Sequence, residues 1–131
     1  MGDILHCNVR GLKTPDLRKN KVAIIQKLLN ENKPIFINLQ ETHLNEESEI
    51  PKEWTHLKSL YNIVFCGANS TDPGSGIIVF IRKTETILEK STLVEGRLLH
   101  IKTENLVSGE IFNLFSVYGK SNINQSFAQD I

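Results

Sequence analysis

The sequence has little that would mark a secreted, membrane-embedded or disordered protein. It has only two cysteines, Cys7 and Cys66, too few for a disulfide framework. Its longest apolar runs are the length of a strand, which excludes a transmembrane helix and a membrane partner. The acidic start, Met1-Gly2-Asp3, has neither the basic nor the apolar region of a signal peptide. We therefore expect an intracellular protein in which both thiols are buried and reduced.

The sequence also lacks an excess of charge of either sign. Fifteen lysines and arginines balance fifteen aspartates and glutamates, so the overall charge gives no support for nucleic-acid binding. The charges are unevenly distributed, because a basic cluster near the start is followed by an acidic one. The basic residues are Arg10, Lys13, Arg18, Lys19 and Lys21. Either cluster also fits a solvated surface without a function.

What is present indicates a globular α/β domain. The chain has 131 residues, of which 40% are apolar and 23% charged. Alternating apolar residues predict a strand at 4–9, an apolar stripe at helical spacing predicts a helix at 15–33, and a short apolar run predicts a buried strand at 35–39. This order predicts a βαβ unit. Further strands are predicted at 61–66, 77–82, 98–103 and 111–118, the last two as a hairpin.

Polar side chains lie where several predicted strands end. Glu41 directly follows the buried strand, and Asn8 ends the first one, so the two share one rim if these strands are parallel. A carboxylate there can bind Mg²⁺, and an amide can orient it. Tyr118 ends the last strand and can donate to a phosphate oxygen, and the polar His43 can contact a phosphate or a base. Each of these residues also fits a structural role in a turn or an interface. The histidines and cysteines lack the spacing of a zinc site.

Five segments, taken in order, resemble one family. The first two are Asn8-Val9-Arg10-Gly11-Leu12 and Asn38-Leu39-Gln40-Glu41-Thr42-His43-Leu44. The others are Ser75-Gly76-Ile77-Ile78-Val79, Glu95-Gly96-Arg97 and Phe115-Ser116-Val117-Tyr118-Gly119. This series resembles the opening of endonuclease/exonuclease/phosphatase domains. The closest resemblance is to the apurinic-like endonuclease domain of LINE-type (non-LTR) retrotransposon proteins.

The resemblance implies a fold, a reaction and a set of site residues. The fold would be a four-layer α/β sandwich of two mixed β-sheets with flanking helices. The reaction would be phosphodiester hydrolysis of DNA that depends on Mg²⁺, with Mn²⁺ as a substitute, in the nucleus. Glu41 and Asn8 would form the metal site, and Tyr118 would hydrogen-bond the scissile phosphate. His43 and Arg10 would contact the DNA.

The sequence departs from the family pattern, above all at its end. Ser116 and Lys120 stand where the family has asparagine and proline, and the later Gly-Asp-x-Asn and Ser-Asp-His segments do not occur. We therefore expect residues 1–131 to be the N-terminal half of the domain, about one sheet with its helices, inactive alone. Its inner apolar face, including parts of 77–81 and 111–117, would be exposed and covered by a complementary chain or a second copy.

Two other functions remain open from the sequence. One is a non-catalytic remnant that binds nucleic acid or a protein, for which the basic residues between Arg10 and Lys21 are the supporting feature. The other is a phosphatase that acts on small molecules or lipids, because the same fold hosts such enzymes.

Overall fold

The protein folds as two β-sheets packed face to face, with helices on the outer side of the first sheet. The structure, a computed structural model, describes residues 4–13 and 15–118. The first sheet contains β1 (Ile4–Asn8), β2 (Phe36–Gln40), β4 (Ile77–Arg82) and β3 (Tyr61–Cys66), in that order. The second contains β5 (Glu85–Val94), β6 (Leu98–Asn105) and β7 (Ile111–Val117), in that order. The predicted α/β fold is confirmed.

The unit β1–α1–β2 sets the position of the rim. Helix α1 spans Pro15–Asn32, and its apolar stripe buries Val22, Ile25 and Leu29 against the first sheet. Each buried aliphatic side chain contributes about 1.5–3 kcal/mol to folding. Strands β1 and β2 are parallel, and Asn8 is paired with Gln40 at their ends. The predicted βαβ unit is confirmed. Among the described residues, no helix is both long and apolar enough to cross a membrane.

Strand β4 lies at the centre of the molecule. Residues 77–81 are fully buried, as a continuous apolar strand requires when both sheet faces are covered. Phe80 packs on the helical side against Trp54, which lies in a 3₁₀ helix, Lys52–Ser59. Val79 faces the other way, into a core shared with Ile101 of the second sheet.

Two sequence-based expectations are therefore wrong. The chain contains two sheets, and the inner face of residues 77–81 is covered by β5, β6 and β7 of the same chain. A complementary chain or second copy is not needed to cover that face. In β7, Leu114 and Ser116 point into the core, while Ile111 and Phe115 are exposed on the outer face.

Some details of the strands also differ from expectation. The β6–β7 hairpin is confirmed, but β5 was not predicted, because most of its side chains are polar and exposed. Cys66 is buried as expected, whereas Cys7 is exposed. Among the described residues, β1 is an edge strand paired only with β2. Cys7 lies on the face of β1 that is turned toward α1, beside Ile25, and its side chain remains exposed there.

Candidate functional site

The centre of the candidate site is the rim where β1 and β2 end. Asn8 Nδ2 donates a hydrogen bond to Glu41 Oε2. Asn8 Oδ1 accepts the backbone N–H of Arg10 at 3.0 Å, which fixes the orientation of the amide. Because the amide nitrogen faces the carboxylate and the amide oxygen faces the backbone, Asn8 holds Glu41 in place. The Asn8 oxygen already accepts a hydrogen bond from the backbone. Of the two side chains, Glu41 therefore has the oxygen atoms that are better placed to bind a cation.

The loops on this rim adopt an unusual backbone. Arg10, Glu41 and His43 have positive φ angles of 50°, 55° and 63°, in the left-handed region that side chains disfavour. The two loops are tied together, since Gly11 N–H donates to the carbonyl oxygen of Glu41 at 2.7 Å. Such conformations persist where the surrounding structure enforces them, and they concentrate at functional sites.

The segment from Gln40 to His43 owes its shape to two glycines. Thr42 is fully buried, and a Cβ on Gly76 would lie 2.4 Å from its Oγ1. A Cβ on Gly11 would lie 2.7 Å from His43 Nδ1, so the imidazole rests against bare backbone. Gln40 Nε2 donates to the carbonyl oxygen of Val117 at 2.7 Å. The segment therefore holds Glu41 by contacts to both sheets.

Tyr118 lies on the same side of the molecule. Its backbone N–H donates to the carbonyl oxygen of Arg97 at 2.7 Å. A Cβ on Gly74 would lie 4.0 Å from the Tyr118 hydroxyl and 3.9 Å from His43 Nε2, so both side chains reach the same glycine. Burial raises the pKa of Tyr118, and the carboxylates of Glu41 and Asp72 raise it further. The phenol therefore stays a neutral hydrogen-bond donor well into the alkaline range.

An ion pair that sequence reasoning missed, largely shielded from water, lies near Tyr118. Arg97 Nε and Nη2 donate to Asp72 Oδ2 at 3.0 and 2.7 Å. The side chains are 19% and 6% exposed, so water screens this pair weakly. Arg97 opposes the effect of the two carboxylates on the pKa of Tyr118. The Glu95-Gly96-Arg97 segment marked Arg97 in the sequence, but nothing marked Asp72 as its partner.

The basic segment near the rim is largely engaged in internal contacts. Lys21 Nζ donates to the carbonyl oxygens of Arg10 and Gly11 at 3.1 and 3.0 Å. Lys13 donates to Asn45 and lies 3.8 Å from a Glu49 oxygen. The side chain of Arg10 is exposed at the rim. The segment thus braces the two loops, and much less of it is available to a ligand than the sequence suggested.

The rim supplies one carboxylate that could ligate a divalent cation. Within the described ranges, no group of three His, Cys, Asp or Glu side chains could hold a metal ion together. Mg²⁺ commonly takes only one or two protein carboxylates and completes its shell with water and substrate phosphate oxygens. Glu41, partly exposed and fixed by Asn8, meets that requirement.

Solved structures share this fold. No protein-family model matches the chain, and no curated protein sequence does. The AP endonuclease LMAP of Leishmania major is 19% identical with a TM-score of 0.62, and the match covers 95% of this chain and 43% of that one. The 3′ phosphatase NExo of Neisseria, bound to a product DNA hairpin, is 19% identical with a TM-score of 0.65, over 90% and 41%. TDP2 of C. elegans is 15% identical with a TM-score of 0.63, over 97% and 40%.

These matches establish the fold and its extent. At these identities the matches show the fold alone, and the predicted α/β fold is confirmed. The first sheet is mixed as expected, whereas the second is antiparallel throughout the described residues. The chain spans about two fifths of the length of these structures. Over that span, the protein shares the α/β fold of these structures.

Proposed function

We propose that the chain carries the metal-binding side of a phosphodiester hydrolase site that acts on DNA. The observation that carries the proposal is the hydrogen bond from Asn8 Nδ2 to Glu41 Oε2 across the ends of two parallel strands. Tyr118 adds a phenol close enough for the Glu41 carboxylate to raise its pKa. A fixed carboxylate beside a neutral donor is an arrangement suited to phosphate chemistry.

Glu41 would hold Mg²⁺, or Mn²⁺ in its place, and Asn8 would fix the carboxylate that does so. When bound, the ion supplies positive charge for the phosphoryl oxygens and lowers the pKa of an attacking water. Asn8 limits the motion of the Glu41 side chain, because its own amide is anchored to the Arg10 backbone. A ligand held in this way loses less conformational entropy when it binds.

Tyr118 would donate its hydroxyl hydrogen to a non-bridging oxygen of the scissile phosphate. The raised pKa keeps that hydrogen in place, so the donor is present throughout the neutral range. Gly74 presents backbone without a side chain beside the phenol and beside the Asp72 carboxylate, whose charge is offset by Arg97. The His43 imidazole and the Arg10 guanidinium would contact the flanking DNA backbone.

The finer assignment is a target-site endonuclease of a LINE-type retrotransposon protein, acting on chromosomal DNA in the nucleus. The Gln40-Glu41-Thr42-His43 segment supports it, because this tetrapeptide resembles that group of proteins at the point where the rim carries Glu41. We also propose that hydrolysis needs groups beyond the described residues. Among the described residues, no group of three His, Cys, Asp or Glu side chains that includes Glu41 could hold a metal ion.

The alternative, a non-catalytic module that binds nucleic acid, is less well supported. It would rest on the basic segment, yet Lys21 and Lys13 are used for internal contacts to carbonyl and carboxylate oxygens. Salt-sensitive binding to DNA that does not change with Glu41→Gln would favour this alternative.

The test combines plasmid nicking with metal binding. The purified chain is incubated with supercoiled plasmid in Mg²⁺ and in EDTA, and Mn²⁺ binding is followed by calorimetry. Glu41→Gln is the test variant, and Glu89→Gln, at an exposed position of β5, is the matched control. We expect Mn²⁺ binding that Glu41→Gln abolishes and Glu89→Gln preserves, without nicking by this chain alone.

The other outcomes are equally informative. Metal-dependent nicking that Glu41→Gln removes would support the hydrolase and overturn the need for further groups. A folded chain with neither Mn²⁺ binding nor nicking would contradict the proposed function.

A further inference from the structure

A second surface lies at the end of the sheets opposite the rim. Strand β4 runs from Ile77, which is paired with Gln40 at the rim, to Arg82 at the far end. The β6–β7 hairpin turns at the same far end, where Leu106 N–H donates to the carbonyl oxygen of Thr84 at 2.9 Å. A partner bound here would leave the rim open.

Three large aliphatic side chains are exposed at this end. Leu60 is 44% exposed, Leu106 68% and Val107 94%. Because the three side chains lie close together, they form an exposed apolar patch. Such patches commonly mark interaction sites. They line one side of a groove of about 330 Å³ that also contains Arg82 and Lys83.

The hairpin tip that carries two of them is held in a fixed shape. Asn105 Oδ1 accepts the N–H groups of Val107 and Ser108 at 3.0 and 2.9 Å. Gly109 N–H donates to the Asn105 carbonyl oxygen at 2.9 Å. Asn105 itself is anchored, because its Nδ2 donates to the buried Glu85 carboxylate at 2.7 Å. The aliphatic side chains are therefore presented outward at little further entropic cost on binding.

Positive charge accompanies the apolar residues. A second groove of about 440 Å³ shares Lys83 with the first and is also lined by Lys52 and Lys58. Glu47 is the acidic residue among its lining side chains. In the part of the chain that the structure describes, no carboxylate pairs with these three lysines within 4.0 Å. The two grooves thus carry unneutralised positive charge on a chain whose net charge is zero.

We propose that the two grooves bind an acidic amphipathic peptide segment of a partner protein. Aliphatic residues of the segment would cover Leu60, Leu106 and Val107, and its carboxylates would face Lys83 and Lys58 in the adjoining groove. Burying aliphatic surface supplies affinity, and charge complementarity supplies orientation and specificity. The argument uses no residue of the rim, so the proposal is independent of the proposed hydrolase function.

Two other classes of ligand fit the surface less well. DNA would leave Leu106 and Val107 against phosphates, and the nearby aromatic rings of Trp54 and Tyr61 are buried and cannot stack on bases. A flat bilayer surface would meet the hairpin tip first, because Val107 is 94% exposed, whereas the lysines line the grooves. A narrow segment of a protein reaches both.

The test is selection from a displayed library of random peptides on the whole folded chain, followed by fluorescence anisotropy with the selected peptides. The first variant combines Leu106→Ser with Val107→Ser, and the second is Lys83→Glu. The matched controls are Leu93→Ser and Lys90→Glu, at exposed positions of β5. Circular dichroism checks that each variant is folded.

The expected result is enrichment of peptides that combine aspartate or glutamate with aliphatic residues. Leu106→Ser with Val107→Ser should weaken their binding by about tenfold or more, because buried aliphatic contacts are lost. Lys83→Glu should also weaken it by about tenfold, because attraction to the peptide carboxylates becomes repulsion. The controls should change the binding by less than about twofold. Failure to enrich such peptides, or equal binding by the test variants, would overturn the proposal. Tighter binding to phosphatidylserine vesicles or to a DNA duplex than to any selected peptide would overturn it as well.

Discussion

Gln40 Nε2 donates a hydrogen bond of 2.7 Å to the carbonyl oxygen of Val117, and this contact joins the two sheets at the rim. Gln40 is the last residue of β2, and Val117 is the last residue of β7. The next residues along the chain are Glu41 and Tyr118. One side-chain amide thus brings together the carboxylate and the phenol on which the proposed chemistry depends.

Replacing Gln40 by leucine should destabilise the fold by about 1–3 kcal/mol, because the half-buried Val117 carbonyl oxygen loses its donor. Urea unfolding followed by Trp54 fluorescence measures the change. Gln26→Leu is the matched control, since Gln26 makes an exposed contact of 3.3 Å to His56, and it should cost roughly 0.5 kcal/mol or less. An equal loss of unfolding free energy in the two variants would show that the Gln40 contact does not stabilise the packing of the two sheets.

The pKa of Tyr118 should fall when Glu41 is replaced by glutamine. The Glu41 carboxylate raises this pKa, so removing its charge shifts the pKa back toward the ordinary value. The chain has two tyrosines, so Tyr61→Phe leaves Tyr118 as the one phenol for ultraviolet titration. In the same background, Glu89→Gln should leave the titration unchanged. An unchanged Tyr118 pKa in Glu41→Gln would show that the Glu41 carboxylate does not act on the Tyr118 phenol.

The same shift predicts a pH dependence of stability. The pKa of Tyr118 is raised in the folded state, so folding favours the neutral phenol. Its contribution to the free energy of unfolding is complete below the unfolded pKa of about 10 and is lost as the pH rises through the folded pKa. Tyr118→Phe should therefore make stability less sensitive to pH in the alkaline range, as measured by urea unfolding at a series of pH values. A steeper alkaline loss in the variant would contradict the direction of the shift.

Alanine at Gly76 should be far more damaging than alanine at Gly109. Both glycines have positive φ angles, 110° and 74°. A Cβ on Gly76 would lie 2.4 Å from Thr42 Oγ1, whereas a Cβ on Gly109 would meet nothing within 4 Å. We expect Gly109→Ala to cost about 1 kcal/mol from backbone strain alone, and Gly76→Ala about 3 kcal/mol or more. Similar costs in urea unfolding would mean that the loop carrying Glu41 does not depend on Gly76.

Asn8→Asp and Asn8→Ala should have opposite consequences for metal binding. Aspartate places a second carboxylate against Glu41, so the apo protein loses stability through repulsion and regains it in millimolar Mg²⁺. Alanine removes the residue that positions Glu41, and Mn²⁺ affinity should fall about tenfold. Thermal unfolding with and without Mg²⁺, together with calorimetry, measures both effects. If Mg²⁺ stabilised the two variants equally, Asn8 would have no part in a metal site.

Much of the first sheet could be predicted from local pattern. The apolar stripe of α1 and the short apolar run that became β2 are strong signals. The stripe is buried at Val22, Ile25 and Leu29, and the run is buried on both faces. From them follow the parallel pairing of β1 with β2 and the meeting of Asn8 with Glu41. In a βαβ unit the carboxyl ends of both parallel strands lie on one rim. The proximity of two motifs far apart in sequence could therefore be predicted from the sequence alone.

What the pattern did not reveal depends on contacts between distant segments. β5 is exposed along most of its length, so it has no alternation for the sequence to display. The run at residues 77–81 indicated burial on both faces, but not that the same chain supplies both covers. The Asp72–Arg97 pair joins a loop to the start of β6, and no spacing rule connects two such positions.

The central claim is that Glu41 is the metal ligand of a rim shared with Asn8 and Tyr118. The most direct measurement is the broadening of backbone amide resonances by sub-stoichiometric Mn²⁺ in the isotopically labelled chain. We predict broadening centred on residues 8–11, 41–43 and 118, and its loss in Glu41→Gln. Broadening centred elsewhere, or an unchanged pattern in Glu41→Gln, would contradict the account.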